Sequence, residues 1–285
     1  MGLSDALVAE VQRAMVEVAD EAVLPSFRNL ADDEVAEKSP GEIVTDADRL
    51  AEQLLTPRLT ALLAAPVVGE EATAEDPSLP DALAGGGYVW LVDPIDGTRN
   101  FVAGNDGFGM IVALVKDRVT VAGWILQPLT GTVHHAIKGG GVFRNGESVV
   151  RSPAGGDLGQ LRGKALTKFL PIETVLDAIE TNQHRFGELD RGAGSAAIDY
   201  TRLVDGETDF NMYWRSLPWD HAAGVLLCEE AGATARRPDR TAYAAHQTGA
   251  GLLAAAGEDA WESIHEALLS TIKTTEAPPF PGKAS

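Results

Sequence analysis

The segment LVDPIDGTRNF, residues 91–101, limits most strongly how this chain can fold. Apolar residues lead into Asp93, and Pro94 lacks the backbone N–H that a central strand needs, so we expect a buried strand that ends at Asp93. Asp96 follows three residues later, and two carboxylates this close repel each other unless a positive charge lies between them. The segment therefore predicts either a polar turn at the end of a strand or a loop that binds a cation.

The residues after this strand favour the cation-binding interpretation without excluding the turn. Gly97 permits an unusual backbone conformation, and TRNF is expected to begin a short helix. Free backbone N–H groups at a helix start favour an anion, and carboxylate and carbonyl oxygens are the ligands that Mg²⁺ prefers. A calcium loop of the helix–loop–helix type is excluded, because its twelfth-position glutamate, counted from Asp93, would fall at Gly104.

Further acidic segments could contribute to such a site, and each also has a purely structural interpretation. Glu70 and Glu71 follow a short apolar run and could be metal ligands or solvated surface residues. Asp220 could bind a metal or cap the N-terminus of a helix. Asp48, in the first turn of a helix capped by Thr45, could simply suit the helix dipole or could pair with a hydroxyl and orient a water.

The spacing of apolar residues changes between helical and strand periods along the chain. Ser4 is expected to cap a first helix and Thr45 a second. From Tyr88 onward, short apolar runs separated by turn residues predict an antiparallel meander that closes with an Asn-Gly hairpin. Helices and strands then alternate from residue 171 to residue 273, so we expect an α/β fold of packed layers. The buried stripe of the second helix is expected to be Leu50, Leu54, Leu55, Leu59 and Leu62.

Charge and cysteine content restrict the partners and the compartment. The 42 acidic residues exceed the 23 basic ones and give a net charge of −19, which argues against nucleic acid or an anionic membrane as the main partner. The single cysteine, Cys228, excludes an internal disulfide framework and suits a reducing compartment. No apolar run approaches the roughly 20 residues that span a bilayer, and no targeting signal is evident. We expect a soluble cytoplasmic protein.

Five segments follow one another along the chain: KSPGEIVTDAD at 38–48, GEE at 69–71, WLVDPIDGTRNF at 90–101, GAGSAA at 192–197 and WDHAAG at 219–224. Taken together and in this order, they resemble the inositol monophosphatase family of Mg²⁺-dependent, lithium-sensitive phosphatases. The resemblance implies an α/β fold, a layered α-β-α-β-α sandwich of the inositol monophosphatase/fructose-bisphosphatase type, usually assembled as a homodimer.

The resemblance also implies a role for each matching residue, with two or three Mg²⁺ ions per site. Gly97 and Thr98 would receive the phosphate, while Asp48 and Thr98 would orient the attacking water. The expected metal ligands are Glu70, Asp93, the carbonyl of Ile95, Asp96 and Asp220. The expected catalytic residues are Asp48, Glu70 and Thr98. The expected substrate-binding residues are Lys38, Gly97, Thr98, Ser195, Ala196, Tyr213 and Arg215.

One departure from the family pattern concerns the substrate. Members specific for inositol phosphate carry a glutamate seven residues before the aspartate of the WD motif, where this chain has Tyr213, with Arg215 nearby. Tyrosine can form a hydrogen bond but cannot offer a carboxylate to a diol. Strict specificity for inositol phosphate is therefore not expected, although the resemblance makes inositol monophosphate the default substrate of the expected phosphomonoesterase. Histidinol phosphate, fructose 1,6-bisphosphate and a 3′-phosphonucleotide remain alternatives.

A non-catalytic interaction protein on the same fold is an alternative of another class. It would be expected to have lost metal ligands, whereas all four expected carboxylates are present. We expect two halves that form one structural unit. Residues 1–150 form an N-terminal α+β half with most of the metal ligands, residues 151–275 form a C-terminal α/β half with the substrate loop and the last ligand, and residues 276–285 form a tail.

Overall fold

A computed structural model describes residues 3–39, 42–166, 173–247 and 251–272, so the expected tail at 276–285 lies outside the described residues. The α-helices of the described part are α1 (Asp5–Val18), α2 (Asp46–Leu62), α3 (Glu70–Glu75), α4 (Thr98–Val102), α5 (Glu173–Asn182), α6 (Ala196–Asp205), α7 (Pro218–Glu230) and α8 (Glu258–Leu268). The strands are β1 (Val35–Ser39), β2 (Glu42–Thr45), β3 (Val67–Gly69), β4 (Tyr88–Asp96), β5 (Gly109–Lys116), β6 (Val119–Gln127), β7 (Thr132–Ile137), β8 (Gly141–Arg144), β9 (Glu147–Val149), β10 (Arg162–Ala165), β11 (Glu188–Asp190), β12 (Phe210–Tyr213), β13 (Thr234–Arg236) and β14 (Leu252–Ala255).

The strands form two large sheets and one separate hairpin. Strands β3 to β9 make a seven-stranded sheet in sequence order, in which β3 and β4 are parallel and the other neighbours are antiparallel. A five-stranded mixed sheet has the order β11-β10-β12-β14-β13. Among the described strands, β1 and β2 pair only with each other, so this hairpin stands apart from both sheets. The expected antiparallel meander is confirmed.

Alternation of side chains in the seven-stranded sheet explains why helices cover both of its faces. Along β5, Met110 and Val112 belong to the core beneath α1 and α2, whereas Ile111 and Ala113 belong to the core shared with α6 and α7. Successive side chains of a strand point to opposite faces, so a fully apolar strand needs partners on both sides.

The central helices α6 and α7 lie between the two sheets, because their core also includes residues of β13 and β14. Helices α5 and α8 cover the outer face of the five-stranded sheet. The layers therefore follow the order α-β-α-β-α, and the predicted fold class is confirmed. No helix among the described residues has both the length and the apolar character needed to cross a bilayer.

Local sequence signals correctly predicted the starts of two helices and the position of one hairpin turn. The hydroxyl of Ser4 accepts a hydrogen bond from the N–H of Leu7 at the start of α1, and Thr45 caps α2. The Asn-Gly pair at residues 145–146 joins β8 to β9. The stripe predicted for α2 is only partly right, because Leu50 is 44% exposed. The stripe that meets the sheet instead includes Ala47 and Ala51, and Ala51 directly follows Leu50 in the helix.

Two predicted boundaries are wrong. Strand β4 does not end at Asp93 but continues to Asp96, and its pairing with β5 shifts register between these residues. Pro94 lies in this irregular stretch, where its missing N–H breaks no regular ladder bond. Helix α7 begins at Pro218 with Leu217 as its N-cap residue, so the interpretation of Asp220 as a helix cap is also wrong.

Candidate active site

The acidic segments of the sequence meet in one cavity of about 170 Å³. Its wall is built from the hairpin β1–β2, the end of β4, and the starts of α3, α4, α6 and α7. Every residue expected to bind metal or substrate contributes to this wall, whereas Asp48 lies behind it and reaches the site through Thr98. Segments far apart in the sequence thus form a single pocket, since Lys38 and His221 both line it.

Three carboxylates from three different elements converge in the cavity. Glu70 at the start of α3, Asp93 on β4 and Asp220 on α7 each place one oxygen within 4.8 Å of the others. Burial raises the pKa of Asp93 and that of Asp220 well above the ordinary range, and the charge of Glu70 raises both further. Clustered carboxylate oxygens are the donor set that a hard divalent cation such as Mg²⁺ prefers, so these residues fit that ion.

Asp96 is held beside this group by the start of α6. Its Oδ2 accepts hydrogen bonds from Ser195 Oγ at 2.5 Å and from the N–H of Ala197 at 2.7 Å. Burial raises the pKa of Asp96 to about 7, although these two hydrogen bonds act in the opposite direction. Ser195 also accepts a bond from the N–H of Ile198 and so caps α6. The hydroxyl of Ser195 therefore links the expected substrate loop to an expected metal ligand.

The turn after Asp96 can be made only by glycine. Gly97 has a φ of +89°, and an added Cβ would lie 2.8 Å from the carbonyl oxygen of Gly107 and 2.9 Å from Cβ of Ser195. Both the backbone conformation and the space exclude a side chain here. The chain consequently enters α4 directly at Thr98, beside the carboxylates.

Thr98 and Asp48 are joined as the resemblance implies. Thr98 Oγ1 lies 3.3 Å from Asp48 Oδ1 and 3.0 Å from the carbonyl oxygen of Ile95. A hydroxyl has one proton to donate, so it serves one of these acceptors at a time. Asp48 Oδ2 accepts hydrogen bonds from the N–H and the hydroxyl of Thr45. Asp48 therefore both takes part in capping α2 and pairs with the hydroxyl of Thr98. Burial raises the pKa of Asp48 to about 6, against the effect of these bonds.

Lys38 is part of the acidic cluster and not a solvated surface lysine. Its Nζ lies 2.6 Å from Glu70 Oε1 and 2.7 Å from Glu71 Oε1, and its side chain is 13% exposed. Burial opposes the charged form, but the two glutamates raise the pKa of Lys38 above its ordinary value. Burial and then the charge of Glu70 raise the pKa of Glu71 to about 7. Lys38 thus supplies part of the positive charge that this cluster requires.

Tyr213 and Arg215 occupy the expected substrate side of the cavity. The ring of Tyr213 packs 5.2 Å from that of Tyr200 and 4.7 Å from that of His221, with 3% of the residue exposed. Its hydroxyl is buried and has no hydrogen-bond partner among the described residues. Arg215 forms an ion pair with Glu42 of β2. Here the wall combines the aromatic ring of Tyr213 with the ion pair of Arg215 and Glu42.

Glu42 and His221 are among the residues in this wall that were not expected from the sequence. Glu42 lies within the matching segment 38–48, but only the pairing with Arg215 gives it a function in the site. His221 follows Asp220, and its ring nitrogens bond the hydroxyl of Tyr200 at 2.9 Å and the carbonyl of Arg215 at 3.0 Å. Burial lowers the pKa of His221 to about 3, so this side chain is neutral. No local pattern distinguishes these residues from ordinary surface or core positions.

Comparison with known proteins agrees with the geometry. Residues 5–276 match the profile of the inositol monophosphatase family. An inositol-1-monophosphatase from Mycobacterium leprae is 32% identical over 243 residues, which cover 84% of this chain and 80% of the relative. A fructose-1,6-bisphosphatase/inositol-1-monophosphatase from Thermotoga maritima is 30% identical over 199 residues, covering 69% of this chain and 72% of the relative.

A solved structure supports the fold independently. The crystal structure of the extragenic suppressor protein SuhB from Bartonella henselae superposes with a TM-score of 0.79 at 24% identity. The match covers 94% of this chain and 100% of that chain. With the family profile spanning nearly the whole chain and the layered fold shared, the protein belongs to the inositol monophosphatase family, whose members are phosphoric monoester hydrolases.

Proposed function

We propose that this protein is a Mg²⁺-dependent phosphomonoesterase that hydrolyses a small phosphorylated alcohol. The observation that carries the proposal is the convergence of Glu70, Asp93 and Asp220 in a cavity that also contains the Thr98–Asp48 pair. Metal-binding carboxylates and a hydroxyl–carboxylate pair are the two components that hydrolysis by an activated water requires.

The proposed metal ligands are the three converging carboxylates together with Asp96 and the carbonyl of Ile95, and they would hold two or three Mg²⁺ ions. When bound, Mg²⁺ supplies the positive charge that stabilises phosphoryl oxygens and promotes ionisation of water. Burial and mutual repulsion raise the pKa values of Asp93 and Asp220, and a cation relieves both the repulsion and the cost of burying charge.

We assign the handling of water to Thr98 and Asp48. When the Thr98 hydroxyl donates to Asp48, its oxygen presents lone pairs toward the cavity and can accept a proton from the attacking water. Asp48 is anchored by Thr45, so its carboxylate is held within hydrogen-bond distance of the Thr98 hydroxyl. The N–H groups of Gly97 and Thr98 are the proposed donors to the phosphate, and Lys38 compensates the charge of Glu70.

For the substrate we propose inositol monophosphate as the default, in line with the activity named for the M. leprae relative. Fructose 1,6-bisphosphate is the second candidate, because Arg215 places a cation in the cavity wall, as binding of a second phosphate would require, and the T. maritima relative carries both names. Histidinol phosphate and a 3′-phosphonucleotide stay within the same chemistry. The complete carboxylate group favours catalysis over a purely non-catalytic interaction protein.

The remaining proposed properties concern the organisation of the chain. We propose that residues 1–150 and 151–275 act as one unit, because Asp220 of the second half completes the group begun by Glu70 and Asp93. The loop residues Ser195 and Ala196 are proposed to shape the substrate wall, with Ser195 also bound to Asp96. A homodimer in the cytoplasm, without a nucleic-acid or membrane partner, is the proposed state.

The test is phosphate release from a panel of monoesters with Mg²⁺ and after its removal by a chelator. The panel contains inositol 1-phosphate, fructose 1,6-bisphosphate, histidinol phosphate and a 3′-phosphonucleotide. The expected result is Mg²⁺-dependent hydrolysis of at least one of them. The ranking of the monoesters by kcat/KM identifies the substrate class. Absence of hydrolysis for the whole panel in the presence of Mg²⁺ would contradict the proposed activity.

A further inference from the structure

The N-terminus of α3, the helix that begins with Glu70, is capped by a carboxylate from another helix. Glu52 of α2 is 5% exposed, and its two oxygens accept hydrogen bonds from the N–H of Glu71 at 2.9 Å and of Ala72 at 2.8 Å. The N-cap residue of α3 is Gly69, which has no side chain with which to cap the helix. Glu52 therefore satisfies two helix-terminal N–H groups that the local sequence leaves without a partner.

Gly69 provides the space that this contact needs. An added Cβ at position 69 would lie 2.2 Å from Cδ of Glu52 and 2.4 Å from each of its carboxylate oxygens. The φ of Gly69 is −98°, a conformation that other residues adopt without strain. The glycine is consequently required by the close approach of the Glu52 carboxylate and not by the conformation of its own backbone.

The orientation of α3 depends strongly on such a contact. The helix has only six residues, and helices this short are not stable without tertiary contacts. Glu70 is its first residue and must bring an oxygen within 4.8 Å of Asp93 and Asp220. Mg²⁺ demands nearly ideal octahedral geometry with bonds of about 2.0–2.1 Å, so a small tilt of α3 is expected to weaken binding.

We infer that Glu52 is a positioning residue, which holds the start of α3 so that the Glu70 carboxylate is placed for the divalent cation. Glu52 does not line the cavity, and its effect on the ion passes through the backbone of residues 71 and 72. The inference rests on the proposed function of Glu70 as a metal ligand. With this inference, α2 contributes two residues that support the site from behind the cavity wall, Asp48 and Glu52.

The experiment measures binding of Mn²⁺, which prefers the same oxygen ligands as Mg²⁺. Free Mn²⁺ is counted by electron paramagnetic resonance in the absence of substrate, so the readout does not depend on turnover. Glu52→Ala is expected to weaken Mn²⁺ binding about 10–100-fold, the usual effect of removing a group that orients a ligand. Glu52→Gln is expected to be intermediate, because its amide oxygen can replace only one of the two acceptors.

A matched control separates positioning from general destabilisation. Leu59→Ala removes a fully buried side chain from the same helix, away from α3, and is expected to lower the melting temperature while leaving Mn²⁺ affinity unchanged. The melting temperature of every variant is recorded in a chelator. Equal losses of Mn²⁺ affinity in Leu59→Ala and Glu52→Ala would overturn the inference.

A double-mutant cycle with Gly69→Ala gives a second, independent readout. In the wild-type background the new methyl group must displace the Glu52 carboxylate, so Mn²⁺ binding is expected to weaken. In the Glu52→Ala background the same methyl group fills vacated space, so the additional loss is expected to be small. Effects that simply add would show that the two positions are not coupled and would contradict the inference.

Glu70→Gln separates failure of this inference from failure of the proposed function. Strong loss of Mn²⁺ affinity in Glu70→Gln with wild-type affinity in both Glu52 variants would overturn the inference and leave the ligand assignment standing. Wild-type affinity in Glu70→Gln would overturn the ligand assignment itself and the inference with it. If Glu52→Ala does not fold, Glu52→Gln and Gly69→Ala still decide the question.

Discussion

Thr98 Oγ1 and Asp48 Oδ1 form a hydrogen bond of 3.3 Å, although the two residues lie fifty positions apart in the sequence. The bond joins the first residue of α4 to the first turn of α2, behind the carboxylates that converge in the cavity. Asp48 is 1% exposed and is fixed by Thr45, so the acceptor is held in place before any substrate arrives. This arrangement is what the proposed proton transfer from the Thr98 hydroxyl to the Asp48 carboxylate requires.

Removing this hydroxyl is the first test of the proposed mechanism. Thr98→Val has nearly the same shape but cannot donate to Asp48, and we expect kcat to fall about 10²–10⁴-fold, the usual contribution of a general base. Thr98→Ser keeps the hydroxyl and serves as the matched control, with most of the activity retained. Rates are measured as phosphate release at saturating Mg²⁺. Turnover of Thr98→Val equal to that of Thr98→Ser would rule out a function of the hydroxyl in water activation.

Substitution of a converging carboxylate is the second test. Asp93→Asn removes a charged ligand, and we expect a rate loss of at least about 10²-fold, because both metal binding and water activation depend on it. Binding of Mn²⁺ to the same variant should weaken in parallel. Asp177→Asn, at an exposed position on α5, is the control that changes net charge by the same amount. Near-normal turnover in Asp93→Asn would refute the ligand assignment.

The raised pKa values predict how metal binding depends on pH. Burial raises the pKa of Asp96 to about 7 and the pKa values of Asp93 and Asp220 well above the ordinary range, so a cation must displace protons below neutral pH. For each proton that the cation displaces, the apparent affinity for the cation falls by up to about tenfold when the pH is lowered by one unit. We therefore expect Mn²⁺ affinity to fall from about pH 8 to about pH 6.

The same raised pKa values make the metal-free protein less stable as pH rises, whereas they make metal binding stronger as pH rises. A carboxyl group with a raised pKa binds more protons in the native state than in the unfolded chain. For Asp96 this difference extends from the ordinary value of 3.8 to about 7, so its contribution to stability is full at acid pH and is lost as pH rises through that window. Metal affinity that is independent of pH between about 6 and 8 would contradict the prediction for Mn²⁺ binding. A difference in free energy of unfolding between wild type and Asp96→Asn that stays constant from about pH 4 to about pH 7, measured in a chelator, would contradict the prediction for stability.

The hydroxyl of Tyr213 has no hydrogen-bond partner in the described part of the chain, which predicts that its removal stabilises the fold. A buried polar group without a partner costs about 1–3 kcal/mol, so Tyr213→Phe is expected to raise the free energy of unfolding by about 1 kcal/mol. Tyr200→Phe is the matched control, and we expect it to destabilise, because the Tyr200 hydroxyl bonds Nδ1 of His221. Urea denaturation measures both variants. A loss of stability in Tyr213→Phe would mean that its hydroxyl has a partner in solution.

The ion pair between Arg215 and Glu42 predicts opposite effects on substrate affinity. Arg215→Met leaves the Glu42 carboxylate without this cation in a cavity that receives an anion, so we expect KM for phosphate esters to rise roughly tenfold, or about 1.4 kcal/mol. Glu42→Gln removes the negative charge and should lower KM. If fructose 1,6-bisphosphate is the substrate, its KM should rise more in Arg215→Met than that of inositol 1-phosphate. Equal KM values in both variants would exclude an electrostatic influence of this pair.

Local patterns predicted the elements because their causes are local. Ser4 and Thr45 cap the helices that they precede, since each bonds an N–H three residues ahead. The apolar runs of the meander became strands, and the Asn-Gly pair at 145–146 became a hairpin turn. The end of β4 was mispredicted because its irregular stretch depends on pairing with β5. The start of α7 at Pro218 was also mispredicted, although proline is favoured at the first position of a helix.

The sequence alone determined the element types, the family and the identity of the acidic residues at the site, because spacing and motif order are properties of the linear chain. Only the tertiary structure decided that Glu70, Asp93 and Asp220 form one group while Ser195 binds Asp96. The sequence also does not predict the contact of Glu52 with α3 or that of Glu42 with Arg215. Such contacts join residues from separate elements, and they exist only after burial of the apolar faces has brought those elements together.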